Sequence, residues 1–64
     1  MNKKLYKLET ARIEAGLTFE DMAAVIGKKA ETYRKKENGQ SRIGLLEAVK
    51  ISDKLNRPVN YLFF

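Results

Sequence analysis

The 64 residues suit one small domain, and we expect it to span residues 1–64. The absence of Cys and His excludes disulfides and thiolate metal sites and removes the commonest general base, so we expect neither a cofactor nor enzymatic activity. No apolar stretch approaches the roughly 20 residues of a membrane span or follows the basic N-terminus as in a signal peptide, which favours a cytoplasmic protein without membrane contact. The formal net charge of +5 favours a polyanionic partner.

Two short helices are predicted at the start of the chain. The first spans residues 3–15, with Gly16 as its C-terminal stop. The second begins at Thr18, which is followed three residues later by Asp21 in the spacing of a capping box, and it ends at Gly27. Each helix has an apolar face, comprising Leu5, Leu8 and Ala11 with Arg12 on the first and Met22, Ala23 and Ile26 on the second.

The third predicted helix, residues 29–38, is polar. Its only large apolar residue is Tyr33, and Gly39 ends it. A helix of this composition is not a core helix, so we expect its outer face to contact something polar. Residues 28–42 contain six basic and two acidic residues, a local net charge of +4. This pattern is typical of a nucleic-acid-binding surface or of a solvated face that maintains solubility.

The last two predicted helices are apolar. The fourth, residues 45–55, is expected to be buried along one face, and Asn56 is expected to cap its end in the left-handed conformation. Pro58 opens the fifth, because a missing amide hydrogen costs nothing in a first helical turn. The face of the fourth helix comprises Leu45, Ala48, Val49, Ser52 and Leu55 with Ile51 beside it, and Val59, Leu62 and Phe63 of the fifth follow. Phe63 is assigned to the core, and Tyr61 and Phe64 to a self-association surface.

The second and third helices differ sharply in character. Both are short and they meet at Gly27, but the first of them is apolar and the other is polar and basic. This arrangement predicts a helix-turn-helix, in which the first helix packs across the DNA backbone and the second lies in the major groove. No strand signal is present, so the predicted fold class is all-α.

Together these features resemble the Cro/cI-type (XRE-like) repressor domains of temperate phages and bacterial regulators. The resemblance runs without a gap over residues 5–63. It implies a five-helix, lambda-repressor-like DNA-binding domain that regulates transcription from a double-stranded DNA operator as a homodimer. The matching residues are Arg12, Gly16, Leu17, Thr18, Met22, Ala23, Ile26, Gly27, Thr32, Tyr33, Glu37, Asn38, Gly39, Leu45, Val49, Ile51, Leu55 and Leu62.

The resemblance also implies roles for individual residues. Arg12 and Glu37 match a partly buried ion pair that ties the first helix to the end of the third. Lys35 is suited to a guanine, Glu31 to the amino group of a cytosine, and Ala30 to a thymine methyl. The full set of base-reading candidates is Lys29, Ala30, Glu31, Arg34 and Lys35. The phosphate-binding candidates are Lys28, Asn38, Gln40, Ser41 and Arg42, with Lys3 or Lys4 adding charge.

Three positions depart from the family pattern. Phe19 stands where many members have a phosphate-binding Gln, and Lys28 follows Gly27 where an apolar residue is usual. Lys36 replaces a core Leu or Ile, and we expect its stem to lie along apolar surface with its charged head in water. An exposed Phe19 would suit a protein-binding anchor. The alternative function is therefore an anti-repressor that binds a phage repressor protein through the helix-turn-helix surface.

Overall fold

The computed structural model describes residues 3–64, and this part of the chain contains five α-helices and no strand. The helices are α1 (Tyr6–Glu14), α2 (Phe19–Ile26), α3 (Ala30–Glu37), α4 (Leu45–Leu55) and α5 (Val59–Phe63). The predicted all-α, five-helix architecture is therefore confirmed.

The first helix begins at Tyr6 and not at Lys3 as predicted. The reason is that the preceding segment is held against α3. The Leu5 amide donates a hydrogen bond to the carbonyl oxygen of Glu37 (2.9 Å). The same segment passes so close to Gly39 that a Cβ there would overlap the backbone of Lys3. The chain turns into α1 only after it has crossed the C-terminal end of α3.

The ends of α2 have the predicted caps. The Asp21 amide donates to the Thr18 hydroxyl (3.0 Å), and the Thr18 amide donates to the Asp21 carboxylate (2.9 Å), so the capping box is confirmed. The bond from the Thr18 amide, above all, holds the pKa of Asp21 below its ordinary value. Gly27 ends α2 in the left-handed conformation (φ 67°), which a residue without a Cβ adopts at little cost. Asn56 ends α4 in the same conformation (φ 56°), as predicted.

A hydrophobic core lies between the helices and receives side chains from each of them. It includes the apolar stripe predicted for α2 and Tyr33, the single large apolar residue of α3. Burying one such large side chain contributes roughly 1.5–3 kcal/mol relative to leaving it exposed. The core residues are Leu8, Ala11, Met22, Ala23, Ile26, Tyr33, Ile51, Leu55 and Leu62, with Phe63 partly buried against them.

The buried face of α4 is narrower than predicted. Ala48 and Leu55 are buried as predicted. Leu45 is 80% exposed and Val49 is 45% exposed, so the prediction that Leu45 and Val49 are buried was wrong. The helix packs against α2 and α5, which are both short. Their surfaces cover only the stripe through Ala48, Ile51 and Leu55, which leaves the first turn and one flank of α4 outside the core.

Candidate nucleic-acid interface

The helices α2 and α3 pack on each other and position the candidate site. The turn between them contains the left-handed Gly27 and ends at Lys29, an extended residue that immediately precedes α3. Tyr33 is fully buried and anchors the inner side of α3 in the core. The opposite side of α3 consequently faces solvent, where its polar side chains are free to meet a partner.

A buried ion pair holds the C-terminal end of α3. Glu37 is fully buried and accepts hydrogen bonds from Arg12 Nε (2.8 Å), Arg12 Nη2 (3.1 Å) and the Tyr33 hydroxyl (2.8 Å). Arg12 Nη1 donates to the carbonyl oxygen of Leu17 (2.8 Å). The pair implied by the resemblance is thus present, and it joins α1, the α1–α2 turn and α3. Burial, followed by the Glu37 carboxylate, raises the pKa of Tyr33 far above its ordinary value, so the phenol stays a donor.

Phe19 covers this ion pair. Its ring centroid lies 4.4 Å from the guanidinium carbon of Arg12 and 6.1 Å from the centroid of the Tyr33 ring. The side chain is half-buried and packs against the core, so the expectation of an exposed Phe19 was wrong. The face of an aromatic ring attracts a guanidinium and shields it from water. Where the resemblance implies a phosphate-binding Gln, this chain has a residue that protects the ion pair.

Lys36 is buried, and its charged head does not lie in water as expected. Its residue exposure is only 9%, and Nζ donates to the carbonyl oxygen of Arg42 (2.6 Å) and lies 3.2 Å from Glu47 Oε1. Burial alone would raise the pKa of Glu47. The hydrogen bonds from the Gly44 amide and from Lys36 outweigh that effect and leave the pKa of Glu47 below its ordinary value. Lys36 therefore fastens the loop after α3 to the start of α4.

The predicted base-reading residues lie at the start of α3 and along its outward side. Four of them occupy positions 30, 31, 34 and 35, a spacing that keeps them on one side of a helix. The exposed members are Lys29, Glu31 and Lys35, and the half-buried members are Ala30 and Arg34.

Two of these residues bind each other. Arg34 Nη2 donates to Glu31 Oε2 (2.6 Å), and Arg34 Nε donates to Glu31 Oε1 (3.1 Å). The hydrogen bond from Arg34 lowers the pKa of Glu31 and raises the pKa of Arg34. This side of α3 therefore presents an internally paired acid and base together with Lys29 and Lys35, which form no ion pair with any residue from 3 to 64.

The predicted phosphate-binding residues flank this side of α3. Lys28 is exposed in the turn before the helix, and the others follow the helix in the loop that Lys36 fastens. Of the two N-terminal lysines, Lys3 is exposed with its backbone against Gly39 of this loop, whereas Lys4 pairs with Glu9 (2.8 Å). The loop members are Asn38, half-buried, and Gln40, Ser41 and Arg42, exposed.

Two of the three ion pairs that involve α3, Glu31–Arg34 and Lys36–Glu47, were not predicted from the sequence. Glu31 and Arg34 are three residues apart on a predicted helix, and that spacing alone favours an ion pair. Lys36 and Glu47 belong to separate helices, and their contact depends on how the intervening loop folds. The sequence contains no local signal for it.

The residues predicted to form a self-association surface lie in or just after α5. Tyr61 is 46% exposed and Phe64 is 88% exposed. The ammonium group of Lys7 lies 5.4 Å from the centroid of the Tyr61 ring. Their exposure is what a contact surface requires, and the contact itself remains a prediction.

Neither a metal site nor a membrane span emerges from the structure. Over residues 3–64, acidic side chains do not gather in a group of three or more that would hold a metal ion. Within the same range, no helix has both the length and the apolar character needed to cross a membrane.

Comparison with known proteins agrees with this geometry. A family model described as helix-turn-helix matches residues 8–62, which include α2, α3 and all nine buried residues of the core. No curated protein matches the chain.

Proposed function

Since the chain belongs to the helix-turn-helix family of DNA-binding regulators, of the Cro/cI (XRE-like) type, we propose that it is a transcriptional repressor that inserts α3 into the major groove of a specific operator. The observation that carries the proposal is the contrast between the two sides of α3. Tyr33 and Glu37 are fully buried, whereas the opposite side is basic and exposed. A helix whose inner side is held in the core and whose outer side is basic suits a groove lined by phosphates. A repressor of this type acts in the cytoplasm, on DNA.

We assign base contacts to the outward side of α3 and phosphate contacts to its two flanks. The assignment is supported by the position of these residues in one segment of the chain, residues 28–42, and by the exposure of most of them. It is also supported by the bond from Lys36 to the carbonyl oxygen of Arg42, which orders the flanking loop before DNA arrives. The base-reading set is Lys29, Ala30, Glu31, Arg34 and Lys35, and the phosphate-binding set is Lys28, Asn38, Gln40, Ser41 and Arg42.

A homodimer on a two-fold symmetric operator is part of the proposal. The half-sites of such operators lie about 34–36 Å apart, one turn of the DNA helix. The longest dimension of the domain is 28 Å, which is less than this spacing, so two copies in contact reach adjacent half-sites when their α3 helices lie outward of the domain centres. Tyr61 and Phe64 supply exposed aromatic surface for the contact between the copies.

A protein partner is the second candidate. Phe19 is partly exposed beside α3 at a position where the family pattern places a phosphate-binding Gln, and this favours an anti-repressor that binds a phage repressor through the helix-turn-helix surface. Phe19 would be its anchor. We rank this function second, because the ring of Phe19 is already engaged by Arg12 and Tyr33.

The first test is a titration of fluorescent duplex DNA from the upstream region of the gene, at about 50 and 200 mM salt. We expect a clear preference over a random duplex and a steep salt dependence. Contacts from Lys and Arg to about five phosphates would lower the affinity roughly 500-fold over this range. The Arg34→Ala/Lys35→Ala variant should lose the preference, because both side chains face the groove.

The matched control is Lys50→Ala/Lys54→Ala, which removes the same charge from exposed positions on α4. It should keep the preference for the upstream duplex. If the unmodified protein shows no preference over the random duplex, DNA is not its primary target. A Phe19→Ala variant in pull-downs would then test the protein partner.

A further inference from the structure

In the ion pair on the outward side of α3, Glu31 binds one edge of the Arg34 guanidinium. Arg34 Nε and Nη2 donate to the two carboxylate oxygens of Glu31 at 3.1 and 2.6 Å. Both side chains are solvent-accessible, at 37% for Arg34 and 63% for Glu31. Glu31 precedes Arg34 by three residues, so one turn of helix sets the distance between them and the contact needs no other element.

The hydrogen bonds that remain to Arg34 define what it can recognise. A guanidinium has five N–H groups in a planar fork, and Glu31 accepts two of them. Among residues 3–64 the guanidinium donates to no other residue. Its outer edge therefore keeps one N–H on Nη1 and one on Nη2, parallel and in the plane of the group. Two parallel donors match the O6 and N7 acceptors of a guanine in the major groove.

We propose that Arg34 reads a guanine in the operator and that Glu31 is the residue that positions it, so that this pair determines specificity at one base pair. The inference rests on the proposed DNA-binding function. An unpaired arginine samples many rotamers, whereas the bond to Glu31 fixes the plane and direction of the fork before DNA is bound. Glu31 then contributes to base reading through Arg34, since each of its two oxygens accepts a hydrogen bond from the guanidinium.

This role has a signature that a structural role lacks. Glu31 brings a negative charge close to DNA, so its removal should strengthen binding to all sequences. It should at the same time weaken the preference for guanine, since Arg34 is no longer held. If Glu31 only stabilised the start of α3, its loss would weaken binding to specific and random duplexes together.

The test is selection from a random duplex library followed by affinity measurements on single-base variants of the selected site. Arg34→Ala should identify the guanine that Arg34 reads by relaxing the preference there roughly 5- to 150-fold. Glu31→Ala should relax the same position by about 2- to 13-fold, the cost of ordering one side chain, and should bind random DNA more tightly. In the double variant, Glu31→Ala should add nothing to Arg34→Ala.

The matched control is Glu20→Ala. Glu20 is exposed and is the second residue of α2, as Glu31 is the second residue of α3, so it removes the same charge from the same helical position. This control should leave the guanine preference unchanged. Circular dichroism melting of all variants will exclude unfolding as the cause of any change.

Three results would overturn the inference. If Arg34→Ala relaxes no guanine, or if Glu31→Ala leaves that preference intact, Glu31 does not position a base-reading Arg34. If Glu31→Ala relaxes a different base pair in the Arg34→Ala background, Glu31 reads DNA by itself. The proposed DNA-binding function survives all three of these results. It fails, and the inference with it, only if the unmodified protein enriches no sequence from the library.

Discussion

Glu37 is tolerated at 0% exposure because each of its carboxylate oxygens has a charged or hydroxyl donor. Oε2 accepts from Arg12 and from Tyr33, and Oε1 accepts from Arg12. The ring of Phe19 then shields the guanidinium from water. A buried pair of this kind is costly to break by removing one partner, because the other charge is left uncompensated.

We therefore expect Glu37→Gln to lower the free energy of unfolding by about 3–5 kcal/mol, since Arg12 remains charged and only 8% exposed. Urea unfolding followed by circular dichroism at neutral pH measures the loss. The control is Arg12→Met/Glu37→Met, which removes both charges and keeps the apolar volume, and which should be markedly more stable than the single variant. A loss below about 1 kcal/mol in Glu37→Gln would contradict this account of the pair.

At the scale of elements, two ion pairs hold the C-terminal end of α3, one at Glu37 and one at Lys36. The ion pair to Arg12 holds it to α1, and Lys36 holds the loop that follows it to Glu47 of α4. The N-terminal segment crosses the same region, with Leu5 bonded to the carbonyl oxygen of Glu37. The recognition surface therefore depends on contacts with other elements, because α3 has only 8 residues and would not be stable alone.

The Lys36–Glu47 contact predicts a pH dependence of folding. The pKa of Glu47 is lowered in the folded protein, so the unfolded chain takes up its proton first as the pH falls. The stabilisation is fully present above the ordinary glutamate pKa of 4.5 and is lost as the pH falls through the lower folded value. Glu47→Gln should lower the free energy of unfolding at pH 7 by about 1–3 kcal/mol. It should also lose less stability than the unmodified protein on acidification.

Urea unfolding at a series of pH values, from neutral to below 4.5, makes this comparison. The control is Glu14→Gln, which changes an exposed carboxylate at the end of α1 and should retain the acid sensitivity. Asp21 and Glu31 also have lowered pKa values, so the Glu47→Gln profile should be shallower without becoming flat. Identical profiles for Glu47→Gln and the unmodified protein would show that the contact does not stabilise the folded state.

At the scale of the whole molecule, the basic stretch and the exposed aromatic residues occupy different segments of the chain. Most of the net charge of +5 lies in residues 28–42, which contribute +4. Exposed aromatic side chains lie instead at Tyr61 and Phe64 at the C-terminal end and at Tyr6 at the start of α1. This separation allows one surface to contact DNA while another contacts a second copy of the protein.

The dimer model predicts that Tyr61→Ser/Phe64→Ser uncouples the two half-sites. Two linked copies bind an operator more tightly than one copy by about 100-fold or more, because the second contact becomes intramolecular. The variant should lose this factor on a full operator and keep the affinity of the unmodified protein for a single half-site. Analytical ultracentrifugation of the DNA complexes gives the stoichiometry. Ile13→Ser, which replaces another exposed apolar residue (59%), is the control, and equal effects of both substitutions would argue against a specific interface.

Helix caps and the buried face of α2 were predictable from single segments of the chain. The capping box at Thr18, the end of α2 at Gly27, the left-handed Asn56 and the buried stripe of α2 each depend on residues within about one or two turns of one another, and the structure has them as predicted. The family resemblance also predicted the ion pair between Arg12 and Glu37, which are 25 residues apart.

What only the tertiary structure decided were the contacts between separate elements. Lys36 is buried because a carbonyl oxygen and Glu47 of another helix meet its charge, and the sequence around it predicted a solvated head. Leu45 and Val49 are exposed because α2 and α5 are too short to cover them, although their spacing is that of a buried face. The spacing of apolar residues predicts which side of a helix is apolar. Whether that side is buried depends on which elements pack against it and how much of it they cover.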